Sequence, residues 1–201
     1  MILSEYVTLI RGYTGRQDTS VLTDDMIESF VRQAEEQIST DLRVSKMIQI
    51  DIALITTVRV ALPDDWREAD FVRIVDYGPL EYMSRPDFYA EGDEGLLGYY
   101  TTSGLYMMFG GSPNTLVGKT VELHYFGDVP QLTEVEGSSW LADDFQSLLI
   151  PATMVAADEQ LEENTTDWGG KYSARLDKLN DEYRRSRSSG SKLHRRGRSF
   201  G

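Results

Sequence analysis

The stretch Thr23-Asp24-Asp25-Met26-Ile27-Glu28-Ser29-Phe30-Val31-Arg32-Gln33-Ala34-Glu35-Glu36-Gln37-Ile38-Ser39-Thr40-Asp41-Leu42, followed by the Ile/Val/Thr-rich run Met47 to Leu62, decides the fold class. In the first segment Met26, Ile27, Phe30, Val31, Ala34, Ile38 and Leu42 recur at helical spacing and make one apolar stripe over about five turns. Thr23 is a suitable N-cap, and Asp24 and Asp25 suit the positive end of the helix dipole. Glu28, Arg32, Glu35 and Glu36 are expected largely on the solvated side. The second run has strand composition and ends at the turn signal Pro63-Asp64-Asp65. A change from helical to strand patterning within one chain predicts an α+β fold.

Working outward, Leu3, Tyr6, Val7 and Ile10 predict a short N-terminal helix closed by Gly12 and Gly15. Phe71 to Val75 reads as a strand, and Ser84-Arg85-Pro86-Asp87 as a short helix start. Tyr99 to Thr102 and Leu105 to Phe109 flank Ser103-Gly104, a hairpin signal. Val121, Leu123 and Tyr125 alternate with Glu122, His124 and Phe126, again a strand. Helical spacing returns with Trp140, Leu141, Phe145, Leu148, Leu149, Ala152, Val155 and Ala156, where Pro151 is expected to impose a kink. After a break at Asn164-Thr165-Thr166, with Thr166 as the expected cap, Trp168, Tyr172, Leu176, Leu179 and Tyr183 mark a last helix. The expected architecture is a bundle of three to four helices drawn from both chain ends (residues 1–44 and 140–187), an inserted β-rich lobe (45–138) and an extended basic C-terminal arm (188–201). The Ser/Gly/Arg-rich tail from Ser186 has no apolar periodicity and is expected to order only on a partner.

With 201 residues, 40% hydrophobic and 10% aromatic, the chain suits one folded domain or one domain with an inserted lobe. It has no cysteine, which removes disulfides, thiolate metal sites and cysteine nucleophiles. No run approaches the ~18 apolar residues of a membrane span, and the N-terminus lacks the pattern of a signal peptide. The expectation is a soluble protein made in a cytoplasm. The net charge of −13 conceals an asymmetry. Arg184, Arg185, Arg187, Lys192, Arg195, Arg196 and Arg198 are seven of the 20 basic residues, and all 33 acids lie upstream. Residues 1–183 thus carry 13 basic against 33 acidic side chains, about −20. Such a body repels nucleic acid, whereas the tail suits acidic protein, phosphate or anionic lipid.

Motifs that carry chemistry are weak. Gly118-Lys119-Thr120 lacks the glycine a P-loop needs five residues earlier, where Pro113 stands, and a strand rather than a helix follows it. His124 has no serine-and-acid partner in a local motif, and His194 adds only to the tail's charge at low pH. The doublets Glu35-Glu36, Asp64-Asp65, Asp143-Asp144 and Glu162-Glu163 diverge on any regular element and read as solvated surface or helix-dipole partners. Glu91-Gly92-Asp93-Glu94-Gly95 lacks EF-hand ligand spacing. No catalytic, cofactor-binding or metal-ligating residue is expected. The tail, roughly 60 Å long if extended, also holds Leu193 and Phe200, which a partner pocket can take.

Taken in order, several short motifs resemble the head-to-tail adaptor proteins of tailed bacteriophages. They are Gly12-Tyr13-Thr14-Gly15-Arg16, Leu22-Thr23-Asp24-Asp25-Met26-Ile27 with Ala34-Glu35, and Ala61-Leu62-Pro63-Asp64-Asp65-Trp66. Val121 to Phe126, Pro130-Gln131-Leu132, Trp140-Leu141, Trp168 with Tyr172, and Ser189-Gly190 with Leu193 complete the set. The architecture is similar to the adaptor, or tail tubular protein A, of short-tailed phages; Pro151 departs from the continuous helix expected there. The resemblance implies a non-enzymatic virion protein of the neck or tail, assembled in the host cytoplasm. It implies a homo-oligomeric, twelve-subunit ring between the portal protein and the tail nozzle or next tail component, without cofactors. Double-stranded DNA would pass its lumen without sequence-specific binding. The arm residues Arg184, Arg185, Arg187, Lys192, Leu193, Arg195, Arg196, Arg198 and Phe200 would dock on the portal. Two alternatives stay open from the residues alone: a nucleic-acid-binding protein acting through the arm, or a small cell-wall hydrolase of the tail.

Overall fold

Residues 1–15, 22–90, 97–161 and 166–191 are described by the structure, a computed structural model. Among them the fold is α+β, with seven α-helices and two four-stranded sheets. The chain divides into two compact units, one from Met1–Ser45 and the chain from Asp128 onward, the other Lys46–Gly127. Glu91 to Gly95, the acids Glu162 and Glu163, and Asn164-Thr165 lie outside the described residues.

In the first unit, α1 (Leu3–Thr14) buries Leu3, Tyr6, Val7 and Ile10. It passes through Gly12 and stops at Gly15, whose φ of +66° is the left-handed C-cap that glycine adopts at least cost. Helix α2 (Asp24–Asp41) starts where its cap predicts: Thr23 Oγ1 accepts the Met26 amide at 3.2 Å.

Its buried face, however, includes two polar residues among the apolar ones, Glu35 and Ser39, each 3% exposed. Glu35 is not on the solvated side. The reason is its row: Ile27, Val31, Glu35 and Ser39 succeed one another at intervals of four and share one helix face. Glu35 Oε1 accepts the Leu132 amide at 2.6 Å, and Oε2 accepts Arg32 Nη1 at 2.8 Å. Arg32 Nη2 donates to the Leu132 carbonyl at 2.8 Å. Ser39 Oγ donates to the Glu35 carbonyl and accepts the Val129 amide at 3.0 Å. One face of α2 therefore clamps the backbone of residues 129–132, and Leu132 is fully buried. Burial pushes the Glu35 carboxyl above its ordinary value of 4.5, against the Leu132 amide and Arg32, which both favour the charged form.

The second unit opens with a 3-10 turn (Ser45–Met47). The run Met47 to Leu62 is two strands, β1 (Ile48–Leu54) and β2 (Arg59–Ala61), in different sheets. They are followed by β3 (Glu68–Ile74), β4 (Gly78–Pro79), β5 (Glu81–Tyr82), α3 (Arg85–Ala90), β6 (Tyr99–Ser103), β7 (Tyr106–Phe109), α4 (Pro113–Leu116) and β8 (Thr120–Phe126). One sheet runs β1-β8-β3-β4 and the other β2-β7-β6-β5, antiparallel except for β5 with β6. The expected hairpin forms, with Ser103 opposite Tyr106 and Gly104 at φ +59° in its two-residue turn. Val72, Ile74, Val121, Leu123 and Tyr125 from the first sheet share a core with Val60, Tyr100, Met107 and Phe109 from the second. Each such buried apolar side chain stabilises the unit by roughly 1.5–3 kcal/mol.

Back in the first unit, the break falls at Phe145, between α5 (Trp140–Asp144) and α6 (Gln146–Leu161), and not at Pro151. Phe145 sits at φ −125°, ψ 31°, and its carbonyl accepts both the Leu148 and Leu149 amides. Pro151 lies in the second turn of α6, which is assigned as helix without interruption. Buried Leu148, Leu149, Ala152, Thr153, Met154, Ala156 and Ala157 surround α6 on most sides, as suits a central helix. It packs against α1, α2 and α7 (Trp168–Ser191). Tyr6 donates its buried hydroxyl to Thr153 Oγ1 at 3.1 Å, and Thr153 donates to the Leu149 carbonyl.

Asp167, rather than Thr166, caps α7, its Oδ1 accepting the Gly170 amide at 2.8 Å. Farther along, Asn180 Nδ2 donates to the Asp41 carbonyl at 3.1 Å, and its Oδ1 accepts the Arg43 amide at 2.7 Å. Tyr172 donates to Asp41 Oδ2 at 3.0 Å. Asn180 thus satisfies backbone groups that the C-terminus of α2 would leave open. The helix also outruns its apolar spacing: it continues through Ser186, where loss of order was expected, to Ser191. Arginine is a strong helix former, and α7 needs no apolar face there to keep its backbone bonded.

Two predictions follow from these contacts. Glu35→Ala should cost about 1–3 kcal/mol in urea unfolding, because it leaves the buried Leu132 amide without a partner; Glu35→Gln should cost less. A carboxyl raised in the folded state favours folding most below its unfolded value and loses that advantage as pH rises through the folded value. The Glu35→Gln penalty should therefore be largest near pH 4 and shrink toward pH 7, read from paired unfolding curves. Asn180→Ala should cost about 1–2 kcal/mol and speed amide hydrogen exchange along α7 while β8 stays protected.

Candidate partner-binding surfaces

The predicted docking residues divide at Ser191. Arg184, Arg185 and Arg187 lie on α7, all exposed, beyond the Asn180 contact. Lys192, Leu193, Arg195, Arg196, Arg198 and Phe200 lie outside the described residues. At 1.5 Å per residue the eleven residues after Asn180 carry the helix ~16 Å beyond its anchor. Arg184 pairs with Asp181 at 3.5 Å, with both side chains more than half exposed. Such a pair contributes well under 1 kcal/mol and yields readily to a partner. The anchored part of α7 is different in character: Trp168 meets Tyr13 edge to face at 6.0 Å, and Lys171 lies over its ring.

The loop at Gly118-Lys119-Thr120 is a structural turn. Gly118, at φ +83°, gives its amide to the Ile55 carbonyl, and the Lys119 amide bonds the Leu116 carbonyl. The amides that would cradle a phosphate are already used, and β8 follows. Lys119 Nζ reaches Asp76 at 3.3 Å and lies over the Tyr77 ring.

His124 stands in a surface row on β8 and β3. Its Nε2 is 2.6 Å from Glu122 Oε1, and Arg73 donates from Nε and Nη2 to Glu122 Oε2 at 2.9 and 2.6 Å. The hydrogen bond with His124, and then those from Arg73, hold the Glu122 carboxyl below its ordinary range. The imidazole is committed to a charge-paired row and to the edge of Phe71, not to a nucleophile. A cleft of about 350 Å³ is lined by Trp66, Glu68, Tyr82 and Tyr100. Trp66 and Tyr100 belong to the core side of the unit, so this cleft and His124 do not converge. Among the described residues no group of three His, Asp or Glu side chains is placed to hold a metal. None of the described helices is long and apolar enough to cross a membrane.

The surface feature that sequence reasoning missed is apolar. Ile50, Ile52 and Leu54 on β1 are 59%, 66% and 59% exposed, with Phe71 and Val75 exposed nearby. The register puts Ile50 and Phe71 on either side of His124, and Ile52 and Arg73 on either side of Glu122. All lie on the sheet face away from the core. Phe71 reaches that face through a bulge: Ala69 pairs with Tyr125 and Phe71 with His124, leaving Asp70 extra. Without it, Ala69 and Phe71 would share one face. Strict alternation in Ile48-Gln49-Ile50-Asp51-Ile52 was the available signal, since it places the isoleucines on one side and Asp51 on the other.

The exposed surface thus offers a basic helical extension, and an apolar sheet face around the Arg73–Glu122–His124 row. A search of curated proteins finds no match. The family model described as SU10 adaptor protein matches residues 1–196, nearly the whole chain. This chain belongs to the SU10 adaptor protein family and is a structural head–tail adaptor of the bacteriophage virion neck, with portal and tail components as its class of partner.

Proposed function

We propose that the chain is the repeating subunit of a closed ring, of twelve copies by its likeness to tail tubular protein A, seated between the portal and the next tail component. In this reading the helices of the two chain ends form a bundle as the ring's frame, and α7 with residues 188–201 is the arm that docks on the portal. The ring is assembled in the host cytoplasm and encloses a lumen through which double-stranded DNA leaves the head. The observation that carries the reading is family membership over residues 1–196 together with an anchored helix whose far end presents Arg184, Arg185 and Arg187 to solvent. A body of about −20 supports DNA passage without adhesion, since like charge keeps phosphates from the wall. The same charge opposes the alternative of DNA binding through the arm.

The test is portal binding by the full chain against two variants, one lacking residues 186–201 and one with Arg184, Arg185 and Arg187 all changed to Glu. Both should weaken co-sedimentation with portal rings. The triple variant should lose roughly 10-fold or more in affinity at low salt, and the difference should narrow at high salt. Undiminished portal binding by the truncated chain would falsify the docking role. Tight, salt-sensitive binding of the isolated chain to duplex DNA would favour the alternative.

A further inference from the structure

We propose that the outer face of the β1-β8-β3-β4 sheet is the seat for a second copy of this chain, and that the β6–β7 hairpin tip of that copy occupies it. The inference rests on the ring reading and gives it a contact. A head-to-tail ring needs two different, mutually complementary patches on one chain. The second unit carries both. The face offers Ile50, Ile52, Leu54 and Phe71, and the tip offers Leu105, 78% exposed, beside Tyr106, 40% exposed. They belong to different sheets, and the face points away from the core that the two sheets share, so one chain can present both at once. The tip is held in place: the Leu105 carbonyl accepts the Leu62 amide at 2.9 Å, and the Arg59 guanidinium lies 4.6 Å from the Tyr106 ring centre.

Charge favours this pairing over others. Copies of an acidic body repel, so they meet where each is locally neutral. On the face, Arg73 neutralises Glu122, and Lys119 pairs with Asp76 in the turns beyond the ends of β8 and β3. At the tip, the Arg59 guanidinium lies over the Tyr106 ring and brings positive charge beside Leu105. The edge of β1 is a poorer seat than its face. Asp51, opposite Leu123, is half-buried on the core side, and an inward charge on an edge strand discourages an added strand. Size also points to repeated contact. An apolar patch on the order of a few hundred Å² falls short of the ~800 Å² per partner of a stable pair. One contact is therefore weak, and ring closure gives every copy two.

The experiment measures assembly of the full chain against concentration by sedimentation velocity, with and without portal rings. Ile52→Lys and Leu105→Glu each alter an exposed side chain and should keep the wild-type melting temperature within a few degrees. Each should raise the assembly midpoint roughly 10-fold or more. The double variant, which places Lys against Glu at every contact, should recover most of that loss. Either single variant assembling like the wild type, or a double variant no better than the singles, overturns the proposal. Ile52→Lys rings that form normally but no longer hold tail or portal assign the face to another protein, which overturns this contact and leaves the ring intact. A wild-type chain that stays monomeric even on portal removes the ring reading itself.

Discussion

Arg32, Glu35 and Ser39 hold the backbone of Val129 and Leu132 against α2, and the helical unit depends on that clamp. The chain leaves this unit after Ser45 and rejoins it at Asp128, so 82 residues intervene between the two halves of one core. Closing so long a loop costs entropy that grows only slowly with its length. What the fold needs is a specific point of return, and apolar contact alone specifies a point poorly because it has no direction. Hydrogen bonds between side chains and backbone have direction. A carboxylate that takes an amide and a guanidinium that gives to the same residue's carbonyl fix both position and register. The burial cost of Glu35 is offset because its charge is shared with Arg32 and its oxygens are bonded.

Polar contacts also explain how α7 can be long and sparsely buried. Helix α6 supplies the dense core, with α1 and α2 packed on it, while among the described side chains of α7 only Leu179 is buried. Polar contacts at Tyr172 and Asn180 tie α7 to the end of α2 instead. Asp41 is therefore engaged both through its carboxylate and through its main-chain carbonyl. This division leaves the end of α7 outside the packed core, an economical way to project charge from a folded frame.

Much of this was legible in the sequence where periodicity was strong. The α2 stripe, its Thr23 cap, the hairpin at Gly104 and the alternation in β8 follow from local chemistry. The failures are equally local. Glu35 was read by its charge, although its row with Ile27, Val31 and Ser39 placed it inside. The helix after Trp140 is divided at Phe145, whose carbonyl caps α6, and apolar spacing that runs through Phe145 gave no sign of that division. The exposed face of β1 was hidden because a run rich in isoleucine reads as core from composition, and the bulge at Asp70 that brings Phe71 to the same face leaves no signature in spacing. Of the basic arm, sequence identified the arginines; that three of them stand on a helix depended on how far α7 runs beyond its last apolar contact.

Charge organises the interaction surfaces on a scale that no single pair conveys. All 33 acids lie upstream of Arg184, seven of the 20 basic residues are gathered from that point on without an acid, and the apolar sheet face contains the Arg73–Glu122 pair. In the proposed ring, whose copies would meet while DNA passes by, these three arrangements answer one electrostatic problem. A uniformly acidic surface would keep DNA moving but would also keep subunits apart. A neutral surface would permit assembly at the cost of phosphate adhesion wherever a lysine or arginine was left unpaired. The extension carries seven basic residues and no acid, and pairing Arg73 with Glu122 offsets the carboxylate on the apolar face. The large negative charge can then coexist with association at the contacts proposed above, because the face offered there has its carboxylate paired.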